Sequence, residues 1–228
     1  MITVLPVEGV PEVRPGDEIA DLIAARIDLQ DGDVVVVTQK IVSKAEGRLE
    51  PVADEDARRR LIERESVRVL RRREELIISE TSQGFVCANA GVDLSNVDEG
   101  IAALLPDDAD RSARHIRDAL LARTGRQVAV VVSDTFGRPW RRGLVDVALG
   151  CAGIAAIVDL RGTADTRGRM LQATEVAVAD EVASAAELVM GKDRDVPVAV
   201  VRGVDASWLR EGSVRSEVVR PHGEDLFR

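Results

Sequence analysis

The chain has 228 residues, 45% apolar and 31% charged, enough to bury one substantial core or two small subdomains that share one. Its net charge of -9 excludes a general binder of nucleic acid or membrane surface, because phosphate polyanions are repelled on average. No apolar run reaches the roughly 18 residues of a spanning helix, and residues 1–6 lack signal-peptide regions, so a cytoplasmic location is expected.

Gly32-Asp33 reads as a turn, and the β-branched run from Val34 to Val37 as a strand buried on both faces. The charged stretch from Asp54 to Glu75, with Leu61, Ile62, Val67, Val69 and Leu70 among arginines and acids, predicts an amphipathic helical region. Ser112 to Thr124 predicts another helix, stopped by Gly125 and followed by a buried strand from Val128 to Val132. Val176 to Met190 predicts a late helix ended by Gly191, and Val198 to Val201 a further strand. No linker or repeat divides the chain, so one domain over residues 1–228 with a mixed α+β or α/β fold is expected.

Cys87 and Cys151 are the only cysteines and read as buried fillers. Nearly all basic residues are arginine. The only lysines are Lys40, Lys44 and Lys192, and two of them share the segment Thr38-Gln39-Lys40-Ile41-Val42-Ser43-Lys44. This segment, with Glu46 and Gly47, suits neutralisation of phosphate oxygens, although two solvated lysines after a strand would look the same. Asn89-Ala90-Gly91-Val92-Asp93-Leu94-Ser95-Asn96 packs a carboxylate, a hydroxyl and amides around a tight turn, a composition that turns also favour for local reasons. The sharpest segment is Ser133-Asp134-Thr135-Phe136-Gly137-Arg138-Pro139-Trp140-Arg141-Arg142-Gly143, a polar stretch after a buried strand. Asp134 and Thr135 are suitable oxygen ligands for Mg²⁺ or Mn²⁺, the arginines can meet anions, and Trp140 is either a stacking face or a core anchor. Dinucleotide, nucleophile-elbow and zinc-protease motifs are absent, and His115 and His222 are poor candidates for catalysis. The residues thus point to a phosphate- or nucleotide-handling enzyme that uses a hard divalent metal.

In these segments the sequence resembles the F420-0:gamma-glutamyl ligase family, including the ligase domain of a two-domain mycobacterial relative. The matching pieces are Leu5 to Pro11, Gly32 to Arg48, Asn89 to Val97, Asp134 to Arg141, and Ala179 to Lys192 followed by Pro197 to Gly203. The resemblance implies a mixed fold of two intertwined subdomains, a homodimer, and GTP-driven joining of L-glutamate to coenzyme F420-0 through an acyl phosphate. Later glutamates would be added through the gamma-carboxylate.

By the same resemblance Val10, Pro11, Glu12, Val13, Gln39, Lys40, Lys44 and Asn96 would contact GTP. Asp93, Asp134 and Thr135 would hold Mg²⁺ or Mn²⁺, Lys44 and Asp134 would serve catalysis, and K⁺ is an optional further cation. Some relatives carry an acidic metal ligand after the late helix, where Lys192 stands here. With the chain ending near Phe227, no C-terminal nitroreductase-like domain and no reductase activity are expected. The alternatives are a related GTP-dependent amide ligase for another carboxylate and an inactive nucleotide- or metal-binding module.

Overall fold

Val34, Val35, Val36 and Val37 are all fully buried, so the strand they form must be covered on both faces. In the computed structural model, which describes residues 1–225, Phe227 lies outside the described residues. The first part of the chain comprises β1 (Thr3–Pro6), α1 (Ile19–Ala24), β2 (Val34–Thr38), α2 (Gln39–Ala45) and β3 (Leu49–Pro51). Then come α3 (Glu55–Glu65), β4 (Ser66–Arg73), β5 (Leu76–Thr81), β6 (Val86–Ala88) and β7 (Ile101–Ala103). The remainder is α4 (Ala109–Thr124), β8 (Ala129–Arg138), β9 (Arg141–Ala152), β10 (Val158–Asp159), β11 (Glu175–Val176), α5 (Val178–Met190), β12 (Val198–Arg202) and α6 (Val214–Glu217).

A five-stranded mixed sheet in the order β1-β12-β2-β8-β9 organises the larger lobe. Only β2 and β8 run parallel, paired from Val34↔Ala129 to Thr38↔Ser133. Alternate residues serve opposite faces. Val35, Val37, Val130 and Val132 pack with α1, α2 and α4, whereas Val34, Val36, Ala129 and Val131 pack with α5 and α6. Asp108 caps α4 by accepting from Arg111 N, and Gly125 ends it in the left-handed conformation. Gly150 lets α4 approach β9, since a Cβ there would lie 2.1 Å from the Ala109 carbonyl carbon. Both cysteines are free and buried, as expected.

A smaller lobe carries the β3–β7 ribbon, α3 and the sheet β4-β5-β6. Leu61, Ile62, Ile77, Ala90, Val92, Ala102 and Leu104 form its own core. Here the helical reading of residues 54–75 needs correction, because α3 stops at Glu65 and residues 66–73 are a strand. Val67 and Val69 favour extended backbone, and Glu74, at φ 53, turns the chain so that β4 pairs with β5. In the polar stretch 133–143, β8 runs on to Arg138 and β9 starts at Arg141, making a long hairpin. Trp140 sits at its tip, 84% exposed, which rules out the core-anchor reading. Among the described residues no helix is long and apolar enough to cross a membrane.

Candidate active site

The parallel pairing of β2 with β8 ends at Thr38 and Ser133, and a cavity of about 760 Å³ opens there. Ligand sites in sheets with helices commonly form at such strand ends. The segments 10–13 and 191–197 contribute two walls, α2 a third, and the small lobe's 88–96 turn a fourth. That turn is held in an uncommon shape, with Asn89, Ala90 and Gly91 all at positive φ. Ala90 and Val92 are locked into the small-lobe core, and Asp93 is bridged to Ala103 by two backbone hydrogen bonds of 3.0 and 2.8 Å. The small lobe thereby fixes the Asp93 carboxylate at the cavity.

All three lysines of the chain line this cavity. Lys40 Nζ lies 2.8 Å from Asp93 Oδ2 and donates to Ser95 Oγ at 2.6 Å. Ser95 N in turn donates to Asp93 Oδ1 at 2.7 Å. Burial works to raise the Asp93 carboxyl, but Lys40 and the Ser95 groups outweigh it and hold the group below the usual carboxylate range. Lys44, with its side chain buried, is paired with Glu12. Lys192 donates to Thr135 Oγ1 and stands 3.8 Å from both Asp146 Oδ1 and Glu187 Oε1.

Asp134 is in a different state from Asp93. Burial pushes its carboxyl up to about 7; the Thr135 backbone amide opposes this, Asp93 and Asp146 add to it, and Lys192 opposes it. Carboxylates that repel one another around a cavity are the environment that a hard cation relieves. Among the described residues no three His, Cys, Asp or Glu side chains are grouped so as to hold a metal ion by themselves. Asp93, Asp134 and the Thr135 hydroxyl line the same cavity and present oxygen donors of the kind a hard cation takes.

Val10, Pro11, Glu12, Val13, Lys40, Lys44, Asp93, Asn96, Asp134 and Thr135 all line the one cavity. Gln39 does not. It is 1% exposed, its Oε1 accepts from Ser43 Oγ, and among the described residues its Nε2 has no hydrogen-bond partner. The start of α2 turns its side chain inward. Arg138, Trp140, Arg141 and Arg142 likewise lie outside the cavity lining. His115 faces Glu18 and His222 faces Glu80, both away from the cavity.

Sequence reading missed Asp146, 1% exposed on β9 and part of the cavity wall. Its signal was present as one acid inside the apolar run Leu144-Val145-Asp146-Val147-Ala148-Leu149. A buried charge in such a strand needs partners, and Asp146 has Ser133 Oγ at 2.9 Å and Thr135 Oγ1 at 2.5 Å.

Residues 9–203 match the family described as F420-0:Gamma-glutamyl ligase. The chain belongs to that family. The chain is 45% identical to the coenzyme F420:L-glutamate ligase of Methanothermobacter thermautotrophicus, over 100% of this chain and 99% of the relative. The proteins of the same name from Methanopyrus kandleri and Archaeoglobus fulgidus are 42% and 40% identical, covering 98% and 96% of their own lengths. As a member of the F420-0:gamma-glutamyl ligase family, the chain is a ligase, and its mixed helix-and-sheet architecture agrees with the α+β expectation.

Proposed function

We propose that the chain joins L-glutamate to coenzyme F420-0 by an amide bond, using GTP and Mg²⁺ or Mn²⁺. The observation that carries this reading is the gathering of all three lysines and of Asp93, Asp134 and Thr135 around one cavity, in a chain matching a ligase family over residues 9–203. A carboxylate is a poor electrophile, so an acceptor oxygen first attacks the terminal phosphorus of GTP. The bond to the bridging oxygen breaks, leaving GDP and an acyl phosphate. The glutamate amine then attacks the acyl carbon, phosphate departs, and the amine loses a proton as the amide forms.

Within that scheme Lys40 and Lys44 bind and orient phosphate oxygens, and their charge offsets charge on the transferring group. Glu12 holds Lys44 in place until a phosphate competes for it. Asp93, Asp134 and Thr135 hold the divalent cation, which supplies Lewis-acid polarisation of phosphoryl oxygens when bound. A homodimer is the working unit that the family resemblance supports, and light scattering giving a monomer mass at assay concentration would remove it.

The test is mass spectrometry of F420-0 incubated with GTP, glutamate and Mn²⁺ or Mg²⁺. A mass gain of one or more glutamyl units is expected, with ATP much weaker and chelator abolishing product. Equal rates with ATP, or full activity in chelator, would overturn the nucleotide or metal assignment respectively; no product with an intact protein would direct the search to another carboxylate acceptor.

A further inference from the structure

Asp146 is a nearly inaccessible carboxylate placed opposite Thr135 in the β8–β9 register. It accepts from Ser133 Oγ through Oδ2 and from Thr135 Oγ1 through Oδ1, while Ser184 Oγ donates to its backbone carbonyl at 2.8 Å. If filling this place were the whole task, an amide would satisfy two hydroxyls at a lower desolvation cost than a charge. The difference lies in direction. An ionised carboxylate only accepts, so it forces both hydroxyls to act as donors toward it, whereas an asparagine can donate to either and release that constraint. With its proton committed to Asp146, the Thr135 oxygen has its lone pairs free, and one already accepts from the Lys192 ammonium.

We propose that Asp146 is a positioning residue of this site: it fixes the Thr135 hydroxyl as a proton donor to itself, so that the oxygen faces the cavity as a ready acceptor for cations. The inference rests on the metal-dependent reading above and adds a residue that does not itself touch the substrate. Ser133 and Thr135, two residues apart on β8, both donate to Asp146, so one carboxylate sets the direction of two hydroxyls at the end of the strand pairing. On the opposing strand Asp146 is the residue in register with Thr135.

The experiment is Mn²⁺ titration by electron paramagnetic resonance, without nucleotide, on wild type, Asp146→Asn, Thr135→Val and Ser184→Ala, with thermal melts alongside. Outer-shell partners of metal ligands typically change affinity or activity by about 10- to 100-fold, and Asp146→Asn is expected to weaken Mn²⁺ binding and lower kcat in that range. Its KM for glutamate should change by less than about threefold, since no direct substrate contact is lost. Ser184→Ala removes a hydrogen bond at the same residue without touching the carboxylate, and should leave affinity and kcat unchanged. Thr135→Val should reproduce the affinity loss with Asp146 intact, and it decides the matter if Asp146→Asn does not fold. Native Mn²⁺ affinity in folded Asp146→Asn or in Thr135→Val overturns the inference, as does an equal loss in Ser184→Ala, which would mark a merely structural effect. Wild-type protein that makes product yet binds no Mn²⁺ overturns the metal-dependent reading itself, and the inference with it.

Discussion

Lys40 Nζ and Asp93 Oδ2 stand 2.8 Å apart, an ion pair between α2 of the large lobe and the 88–96 turn of the small one. The pair has two consequences. It pre-positions the turn over the cavity, and it keeps Asp93 ionised although the carboxylate is partly withdrawn from water. When a phosphate or a cation enters, each partner can exchange this contact for a new one of the same sign.

Lys40→Met should therefore leave the Asp93 carboxyl with burial unopposed by its ammonium, raising its pKa from the present lowered position. Hydrogen bonds to charged groups contribute about 1.5 to 3 kcal/mol, so KM for GTP is expected to rise roughly ten- to hundredfold. Carbon-detected NMR titration of Asp93 together with steady-state kinetics checks both parts. An unmoved Asp93 titration in a folded variant counts against the pairing.

Much of this arrangement was legible in the sequence because buried strands and polar strand ends announce themselves. The run Val34 to Val37 and the following Lys40 and Lys44 placed one wall, and Asp134 after Val128 to Val132 placed the floor. Two features were hidden for physical reasons. Gln39 carries a ligand-like side chain, but which way it points depends on the helix that begins there, and that helix turns it into the interior. Asp146 becomes intelligible only once β9 pairs with β8 in a register set by the hairpin and its bulge, since its hydroxyl partners are on another strand. The merging of α3 and β4 into one helical stretch arose because charged residues on an exposed two-sided ribbon blur both the 3.6 and the 2.0 periods.

Gly91 has φ 72, and a Cβ there would lie 2.5 Å from Leu105 Cγ. Gly91→Ala should cost about 1 to 3 kcal/mol from the left-handed conformation and the clash together. The strain falls two residues before Asp93, so Mn²⁺ affinity should fall more than urea unfolding alone accounts for. Equal stability and affinity in the variant would show that the turn yields without moving Asp93.

The Asp134 carboxyl, raised to about 7 chiefly by burial, gives a pH dependence of definite sign in the metal-free protein. Between its ordinary value of 3.8 and about 7 the folded chain keeps this proton and the unfolded chain has lost it. The unfolded state binds fewer protons there, so this group's contribution to stability falls as pH rises through that window. Asp134→Asn should accordingly be more stable than wild type at pH 8 by urea unfolding, and the difference should vanish near pH 4. Metal must displace the same proton, so wild-type Mn²⁺ affinity should drop by up to about tenfold per pH unit below 7. A stability difference that is the same at both pH values would remove Asp134 as the titrating group.

Asp93 and Asp134 come from different lobes yet border one cavity, and each raises the question of whether they act as a unit. Asp93→Asn and Asp134→Asn each keep the side chain's size while removing the charge that a hard cation prefers, so each should fold and lose catalysis by orders of magnitude. If the two carboxylates hold one cation, the first substitution already removes most of what the second could remove. The double variant should then lose far less than the product of the single losses, as residues that work together are strongly non-additive. Turnover and Mn²⁺ affinity of the four proteins, each with its unfolding midpoint, measure this directly. Fully multiplicative losses in folded variants would mean that the carboxylates serve separate ends of the cavity, with Asp93 tied to Lys40 and phosphate binding and Asp134 alone at the cation.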